Sequence, residues 1–286
     1  MLILKIIIKN ASKSFLIFGL IFLSFTIYFY LLCKKKSFEE QNSLYFIQAL
    51  DNQNENDIFN EKTAKIKSIE ELVRLIDKRV VEKNDYQITK EIQQVVRESF
   101  VHGLSYLFPC ENWFLFLISQ IPLKKIQQKN FNAILDPERQ IKTPIAFCSQ
   151  NALIIQSLLN HYKIEYSSIA VSNPPNGHFA SAAKLNGVWY YLDGNIEYNL
   201  IDQKLVKLSD FLNPNNDDLI HQMYHSHPAL SDSIIKGRKT GETYQFSLNK
   251  FPALKGLLFQ KLTKIISNWA WLIFFILYFA TFKFRV

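Results

Sequence analysis

Two long apolar stretches lie near the ends of the chain. The run from Ser14 to Cys33 has no charged residue over 20 positions, which is enough to cross a bilayer of about 30 Å as a helix. A second run, from Ile265 to Phe282, has 18 uncharged and mostly apolar residues. Neither run keeps the polar face of a core helix, and the first lacks the small-residue cleavage site of a signal peptide. The pattern predicts two membrane spans, with the lipid bilayer as a partner.

The residues between the spans have the pattern of a globular domain. Residues 37–62 are polar and predict a connector, after which apolar residues recur at helical spacing over 66–80 and 88–104. The segment from Asn112 to Ile121 is apolar enough for a buried helix but too short to span. We therefore divide the chain into a membrane anchor (1–36), the connector, a central domain (63–250) and a second membrane segment (251–286).

The pair Asn186-Gly187 lies between two runs of alternating residues and predicts a β-hairpin with a two-residue type I′ turn. In that register Ala182 faces Tyr191 and Ala180 faces Asp193. One face of the hairpin is then a core face, made of Phe179, Ser181, Ala183, Leu185, Val188, Tyr190 and Leu192.

The other face of the hairpin carries a histidine and an aspartate. His178 shares this face with Ala180, so Asp193 becomes its diagonal neighbour at roughly 7 Å, within reach of an imidazole. Only the small side chains of Ala180 and Ala182 lie beside the pair. We expect them to leave room for a close approach by the helix that begins at Cys148.

Cys148 opens a predicted helix, "CSQNALIIQSLLNHY". The dipole and free N–H groups of a helix N-terminus stabilise a thiolate, and the same N–H groups could hold an oxyanion. His178 would take the thiol proton, and Asp193 would orient the imidazole and stabilise its charge. The sequence therefore predicts a nucleophile, a base and an orienting acid in that order.

The formal charge of +8 does not indicate nucleic-acid binding. Twelve of the 33 basic residues flank the two spans, and no acidic residue lies in either flank. The middle of the chain keeps 21 basic and 25 acidic residues, a net charge of −4, so the positive charge belongs at lipid headgroups. Because both ends of both spans are basic, the positive-inside rule leaves the side of the central domain open.

The three cysteines allow few pairings. Cys33 lies at the edge of a span, which leaves Cys110 and Cys148 as one disulfide or two free thiols. If Cys148 is a nucleophile, no structural disulfide is expected.

The region from about Thr143 to Glu197 resembles the transglutaminase-like family, a papain-like group with cysteine, histidine and aspartate in this chain order. "FCSQNALIIQSLLNHYKIEYSSIAV" is similar to its cysteine helix and following strand, and "GHFASAAKLNGVWYYLDGN" to its histidine and aspartate strands. The resemblance implies an α+β domain, with helices packed on an antiparallel sheet, whose core is 143–197. The two predicted transmembrane helices flank this domain. It also implies catalytic roles for Cys148, His178 and Asp193.

The remaining site candidates are weaker. Trp113 and Gln140 are candidate oxyanion donors, and the aromatic residues Trp189 and Tyr191 of the return strand are candidates for a substrate cleft. The histidines of "LIHQMYHSHPAL", His221, His225 and His227, have a spacing that suits a metal, but the segment looks like a polar loop and we predict no metal site. No phosphate loop or Cys-x-x-Cys pair appears, and we expect no cofactor.

Two functional hypotheses follow. In the first, the chain is a membrane-anchored enzyme that transfers or hydrolyses an acyl group through a Cys148 thioester. The family resemblance implies a peptide or protein of a bacterial envelope as substrate, which favours the periplasmic or exoplasmic side of a cytoplasmic membrane. In the second, the domain keeps the fold without activity and binds a partner in a membrane assembly, such as one that builds or exports a surface polymer.

Overall fold

The computed structural model of the protein describes residues 2–34, 59–82, 84–122, 132–173, 176–194, 204–225, 227–240 and 243–283. It combines helices with an antiparallel sheet and divides into two compact units. The described residues within 1–41, 106–133 and 254–286 make a helical unit, and those within 42–105 and 134–253 make an α+β unit.

The helices and strands follow the chain from end to end. The helices are α1 (Leu2–Lys34), α2 (Glu61–Ala64), α3 (Ile69–Arg79), α4 (Asp85–Ser99), α5 (Trp113–Ser119), α6 (Pro137–Gln140), α7 (Cys148–His161), α8 (Leu208–Leu212), α9 (Asp217–Met223), α10 (Pro228–Lys239) and α11 (Leu254–Lys283). The strands are β1 (Val101–His102), β2 (Ile145–Ala146), β3 (Glu165–Asn173), β4 (Asn176–Leu185), β5 (Val188–Leu192), β6 (Val206–Lys207) and β7 (Thr243–Gln245).

The helical unit contains the two apolar stretches predicted as spans. Asn10–Lys34 and Leu254–Lys283 are long and apolar enough to cross a membrane, with mean hydropathies of 2.3 and 1.8. The two helices pack against each other, and aromatic rings fill their interface. The ring centroid of Phe22 in α1 lies 5.4 Å from those of Trp113 in α5 and Phe274 in α11.

Asn112 ties α5 to α11 inside the helical unit. Its Oδ1 accepts the Leu115 N–H and caps α5, and its Nδ2 donates to the carbonyl of Gln260 at 3.0 Å and to Thr263 Oγ1 at 2.8 Å. Ser267 Oγ donates to Asn112 Oδ1 at 3.1 Å. These internal partners satisfy a polar side chain that would otherwise be costly among apolar helices.

A disulfide joins Cys33 and Cys110 within the helical unit, with their Cα atoms 6.0 Å apart. The expectation that no structural disulfide forms is therefore wrong. Trp113 stacks on Phe29 with an interplanar angle of 3°, and this contact brings Cys110, three residues earlier, beside the end of α1. Cys148 is then the one free cysteine of the chain.

The α+β unit is built on a five-stranded antiparallel sheet in the order β6-β5-β4-β3-β7. The predicted hairpin register is confirmed, since Leu185 pairs with Val188 and Ala182 with Tyr191. The turn has φ of 50° at Asn186 and 83° at Gly187, as a type I′ turn requires.

Helix α7 packs on the predicted core face of the hairpin. Its Ile154, Ile155, Leu158 and Leu159 join Ala183, Leu185 and Leu192 in one buried cluster. Two serines let the helix come close: Ser181 Oγ donates to the Ala152 carbonyl at 3.2 Å, and Gln156 Nε2 donates to Ser168 Oγ and Ser181 Oγ. Val188, next to the turn, is the exposed exception on this face.

The opposite face of the hairpin is buried under helices α8 to α10 rather than under the cysteine helix. Ala180 and Ala182 pack with Phe211, Ile220, Met223, Tyr224 and Ile234. The expectation that these alanines admit the helix of Cys148 is therefore wrong. The alanines instead make room for large side chains, and both faces of the sheet are covered.

The boundaries differ from the sequence division in three places. Residues 106–122 and 132–133, which lie inside the predicted central domain, belong to the same unit as the long helices. The predicted helix over 88–104 ends at Ser99, because β1 pairs in parallel with β2. The connector predicted at 37–62 lies outside the described residues except for 59–62, where α2 begins.

Candidate active site

A cleft of about 400 Å³ opens beside the start of α7. It lies entirely within the α+β unit and has a mostly apolar wall with several imidazoles. Its lining residues are His102, Phe147, Cys148, Gly177, His178, His227, Pro228, Ala229 and Leu230. Two of the three predicted triad residues, Cys148 and His178, thus share one cavity.

Cys148 is the first residue of α7 and is 4% exposed. Phe147 occupies the N-cap position, and its phenyl ring offers no acceptor to the first-turn N–H groups. The side chain of Gln150 instead accepts the N–H of Phe147 at 3.1 Å. Cys148 lies at the positive end of the helix dipole, which favours negative charge there.

His178 connects the thiol to the carboxylate. Its Nε2 contacts Oδ2 of Asp193, and its ring lies close enough to the Cys148 side chain for that thiol to raise the pKa of His178. Because Nε2 faces the carboxylate, Nδ1 is the nitrogen that remains for the thiol. His178 is 5% exposed and Asp193 is 1% exposed. The predicted proximity of Cys148, His178 and Asp193 is present in the structure.

The electrostatics of this group favour a charged imidazole. Burial lowers the pKa of His178, but the negative charge and hydrogen bond of Asp193, followed by the contact with Cys148, raise that pKa to about 10. An imidazolium next to a cysteine stabilises the thiolate. The arrangement therefore combines a cationic imidazole near the Cys148 side chain with a buried carboxylate in contact with that imidazole.

Two tyrosines that the sequence analysis did not assign to the site complete the arrangement. Tyr224 is fully buried, and its hydroxyl donates to Asp193 Oδ2 at 2.7 Å. The hydroxyl of Tyr191 lies 2.8 Å from that of Tyr224. Because the Tyr224 proton is directed to the carboxylate, Tyr191 is the donor in the second bond.

The two proposed oxyanion donors are already occupied. The indole N–H of Trp113 donates to the Ser267 carbonyl at 2.9 Å inside the helical unit. Gln140 donates both amide protons, to Thr143 Oγ1 at 2.8 Å and to the Ile145 carbonyl at 2.6 Å. The Gln140 amide holds the strand that leads to α7, and neither side chain is part of the cleft wall.

Trp189 and Tyr191 do not line the cleft, contrary to the prediction. Tyr191 is 2% exposed and stacks on Phe211 with ring centroids 3.7 Å apart. Trp189 is half-buried against the same apolar cluster. Their strand, β5, lies inside the sheet between β4 and β6, so its aromatic residues serve the core.

The segment "LIHQMYHSHPAL" is largely helical rather than a polar loop. It contains most of α9 and the start of α10, with Tyr224 between them. His221 Nδ1 lies 2.9 Å from Ser231 Oγ, whereas His227 lines the cleft. Among the described residues, no group of three His, Cys, Asp or Glu side chains is positioned to hold a metal ion.

A signal for Tyr224 is present in the sequence. Ile220, Met223 and Tyr224 recur at the three- and four-residue spacing of a buried helix face. The three histidines of the segment dominate its composition and make it look like surface. No comparable signal marks His102 or Phe147, because their place in the cleft depends on the parallel pairing of β1 with β2. No protein-family model, curated protein or solved structure matches the chain.

Proposed function

We propose that the protein is a membrane-anchored thiol enzyme with a transglutaminase-like α+β fold, which transfers or hydrolyses the acyl group of a peptide or protein. One observation carries the proposal: His178 contacts the buried carboxylate of Asp193 and lines the same cleft as the Cys148 thiol. A buried structural cysteine needs neither a histidine partner nor a cavity.

In the proposed reaction, the Cys148 thiolate, whose proton is held by His178 Nδ1, attacks the carbonyl carbon of an amide or ester. The C–N or C–O bond breaks, and the leaving amine or alcohol takes the proton from His178. Water or a second amine then gives a proton to His178 and attacks the thioester carbonyl, which releases Cys148. First-turn N–H groups of α7 are the donors best placed to bind the oxyanion.

The first experiment measures the rate of Cys148 alkylation by iodoacetamide between pH 4 and 10, in the full chain in detergent without reductant. Cys33 and Cys110 are then protected as a disulfide, so only Cys148 reacts. A thiolate–imidazolium pair stays reactive well below the free-cysteine pKa of about 8.5. The wild type should react at low pH, and His178→Ala should lose that reactivity.

His102→Gln is the matched control, because it removes a cleft imidazole outside the triad. It should keep the low-pH alkylation of the wild type. An activated ester such as p-nitrophenyl acetate should then leave an acetyl group on Cys148 that mass spectrometry detects. Alkylation that rises only near pH 8.5 in all three proteins would refute the enzyme and favour a partner-binding scaffold.

We further propose that the α+β unit lies on the oxidising side of the membrane. The Cys33–Cys110 disulfide supports this, because disulfides persist in oxidising compartments such as the periplasm and are rare in the cytosol. Between Lys34 and Leu254 the sequence has no apolar run long enough to cross a bilayer. The chain between the two spans therefore stays on the side of the disulfide.

A count of free thiols tests the side. Cells are quenched in acid, and a maleimide–polyethylene glycol reagent is added in SDS. The wild type should gain one label before reduction and three after it. The control Cys110→Ser should gain two labels without reduction, because Cys33 loses its partner. Three labels on the unreduced wild type would contradict the assignment.

A further inference from the structure

Behind the triad lies a chain of two buried hydroxyl groups that the reaction above does not use. Tyr224 donates to the Asp193 oxygen that His178 also contacts. The Tyr224 hydroxyl lies 3.4 Å from His178 Nε2, and the two rings meet edge to face with centroids 5.7 Å apart. Tyr191 extends the chain by one more hydroxyl. Both tyrosines thus act on the carboxylate rather than on a substrate.

These hydroxyl groups affect the ionisation of the buried Asp193 carboxylate. Asp193 is 1% exposed, so little water reaches it, and a carboxylate without donors in such a place tends to take up a proton. A hydrogen bond from Tyr224 stabilises the anion, and the bond from Tyr191 polarises Tyr224 further. Burial and the nearby Asp193 charge raise the pKa of Tyr224 well above its usual value, which keeps it a donor.

We propose that Tyr224, supported by Tyr191, is a positioning residue that keeps Asp193 ionised and thereby maintains the thiolate–imidazolium pair of Cys148 and His178. The inference rests on the proposed function. It adds to the triad a hydroxyl relay made of Tyr224, which follows helix α9, and Tyr191 of β5. The ionised carboxylate keeps His178 protonated, and the protonated His178 keeps Cys148 a thiolate at low pH.

Tyr224→Phe tests the relay, because it removes the hydroxyl and retains the ring that packs on His178. The iodoacetamide profile of Cys148 is measured as before. A hydrogen bond to a charged group contributes about 1.5–3 kcal/mol, and one pH unit corresponds to about 1.4 kcal/mol. The acid limb of the profile, where the alkylation rate rises with pH, should therefore move to higher pH by roughly one unit. This shift is a tenfold loss of rate at low pH.

Two further variants make the test specific. Tyr191→Phe removes only the outer hydroxyl, so its acid limb should shift in the same direction by a smaller amount. Tyr166→Phe is the control, since Tyr166 is a buried tyrosine that packs in the cluster around α7. It should leave the acid limb unchanged. A merely structural role of Tyr224 would lower thermal stability without moving this limb.

The outcomes separate the two proposals. If the wild type keeps low-pH reactivity and Tyr224→Phe has the same acid limb, the relay is refuted and the enzyme proposal stands. If the wild type lacks low-pH reactivity, the triad is not activated and both proposals fall. Should Tyr224→Phe not fold, an unchanged acid limb in folded Tyr191→Phe would refute the relay.

Discussion

Gln150 is expected to be the most important polar side chain for the stability of the α+β unit. It is 1% exposed and makes four hydrogen bonds to backbone groups. Its Oε1 accepts the N–H of Ser105 at 3.2 Å and of Phe147 at 3.1 Å, and its Nε2 donates to the carbonyls of Ser105 and Ile134, both at 3.0 Å. One amide thus joins three separate segments of the chain.

Gln150→Met retains the length of the side chain and removes all four bonds. Each net hydrogen bond contributes about 1 kcal/mol, and a buried backbone group left without a partner costs at least as much. We therefore expect Gln150→Met to lower the free energy of unfolding by about 4 kcal/mol, a large part of the 5–15 kcal/mol typical of a domain.

Gln156 provides the matched control on the same helix. It is fully buried, but its partners are the side-chain hydroxyls of Ser168 and Ser181. Among the described residues, its Oε1 has no hydrogen-bond partner. Gln156→Met removes an unsatisfied oxygen together with two bonds to hydroxyls that can rotate, so its cost should stay below about 1 kcal/mol.

Pulse proteolysis in urea measures both variants as full chains in detergent. A brief protease pulse cleaves the unfolded fraction at each urea concentration, and the midpoint gives the free energy of unfolding. The midpoint of Gln150→Met should fall far below that of Gln156→Met. If the free energies of unfolding of the two variants differ by less than about 1 kcal/mol, the backbone bonds of Gln150 do not have the assigned importance.

Three further outcomes are expected. The pKa of His178 is raised from 6.5 to about 10, which contributes a few kcal/mol of stability that is complete below pH 6.5 and lost as pH approaches 10. His178→Gln should therefore show a flatter decline of the urea midpoint with pH than the wild type, and parallel declines would contradict this. Gly237→Ala places a Cβ 2.5 Å from Val171 Cγ1 and should lower the free energy of unfolding by about 2 kcal/mol. Gly187→Ala adds a Cβ in open space at φ 83° and should lower it by about 1 kcal/mol, so equal urea midpoints would refute the packing argument. Asn112→Ala removes three contacts with α11 and should lower stability in an SDS titration by about 2 kcal/mol, while the exposed Asn268→Ala should not.

The sequence predicts the hairpin well because its determinants are local. A two-residue turn with φ above zero sets the register, and the register brings His178 and Asp193 together whatever packs around them. The start of the cysteine helix is also local, since it depends on the apolar spacing after Cys148. These features account for the triad geometry that the structure shares with the prediction.

The packing partners of the hairpin could not be predicted, because they depend on segments far along the chain. Alternation identifies a core face, but here both faces are buried. The alanines could equally receive a helix backbone or large side chains, and the deciding residues, Phe211 and Tyr224, are contributed by α8 and by the turn after α9. The role of Tyr224 follows from that long-range packing.

The disulfide illustrates a different limit of prediction from the sequence. Cysteine pairing depends on which parts of the chain meet, and Cys33 and Cys110 are 77 residues apart. Spacing alone leaves several pairings open. The deciding contact is the stacking of Trp113 against α1, which an apolar run of seven residues does not reveal.

The helical unit is made of segments from the beginning, the middle and the end of the chain, so it can be completed only after the α+β unit has been synthesised. The indole N–H of Trp113 donates to the carbonyl of Ser267, which is 154 residues later in the chain, and the Thr26 hydroxyl donates to the same carbonyl, 241 residues later. All residues of the α+β unit are synthesised before α11. A premature stop after Ala253 would therefore spare the triad but deprive Asn112, Trp113 and Thr26 of their α11 partners, so quality control would act on the membrane part first.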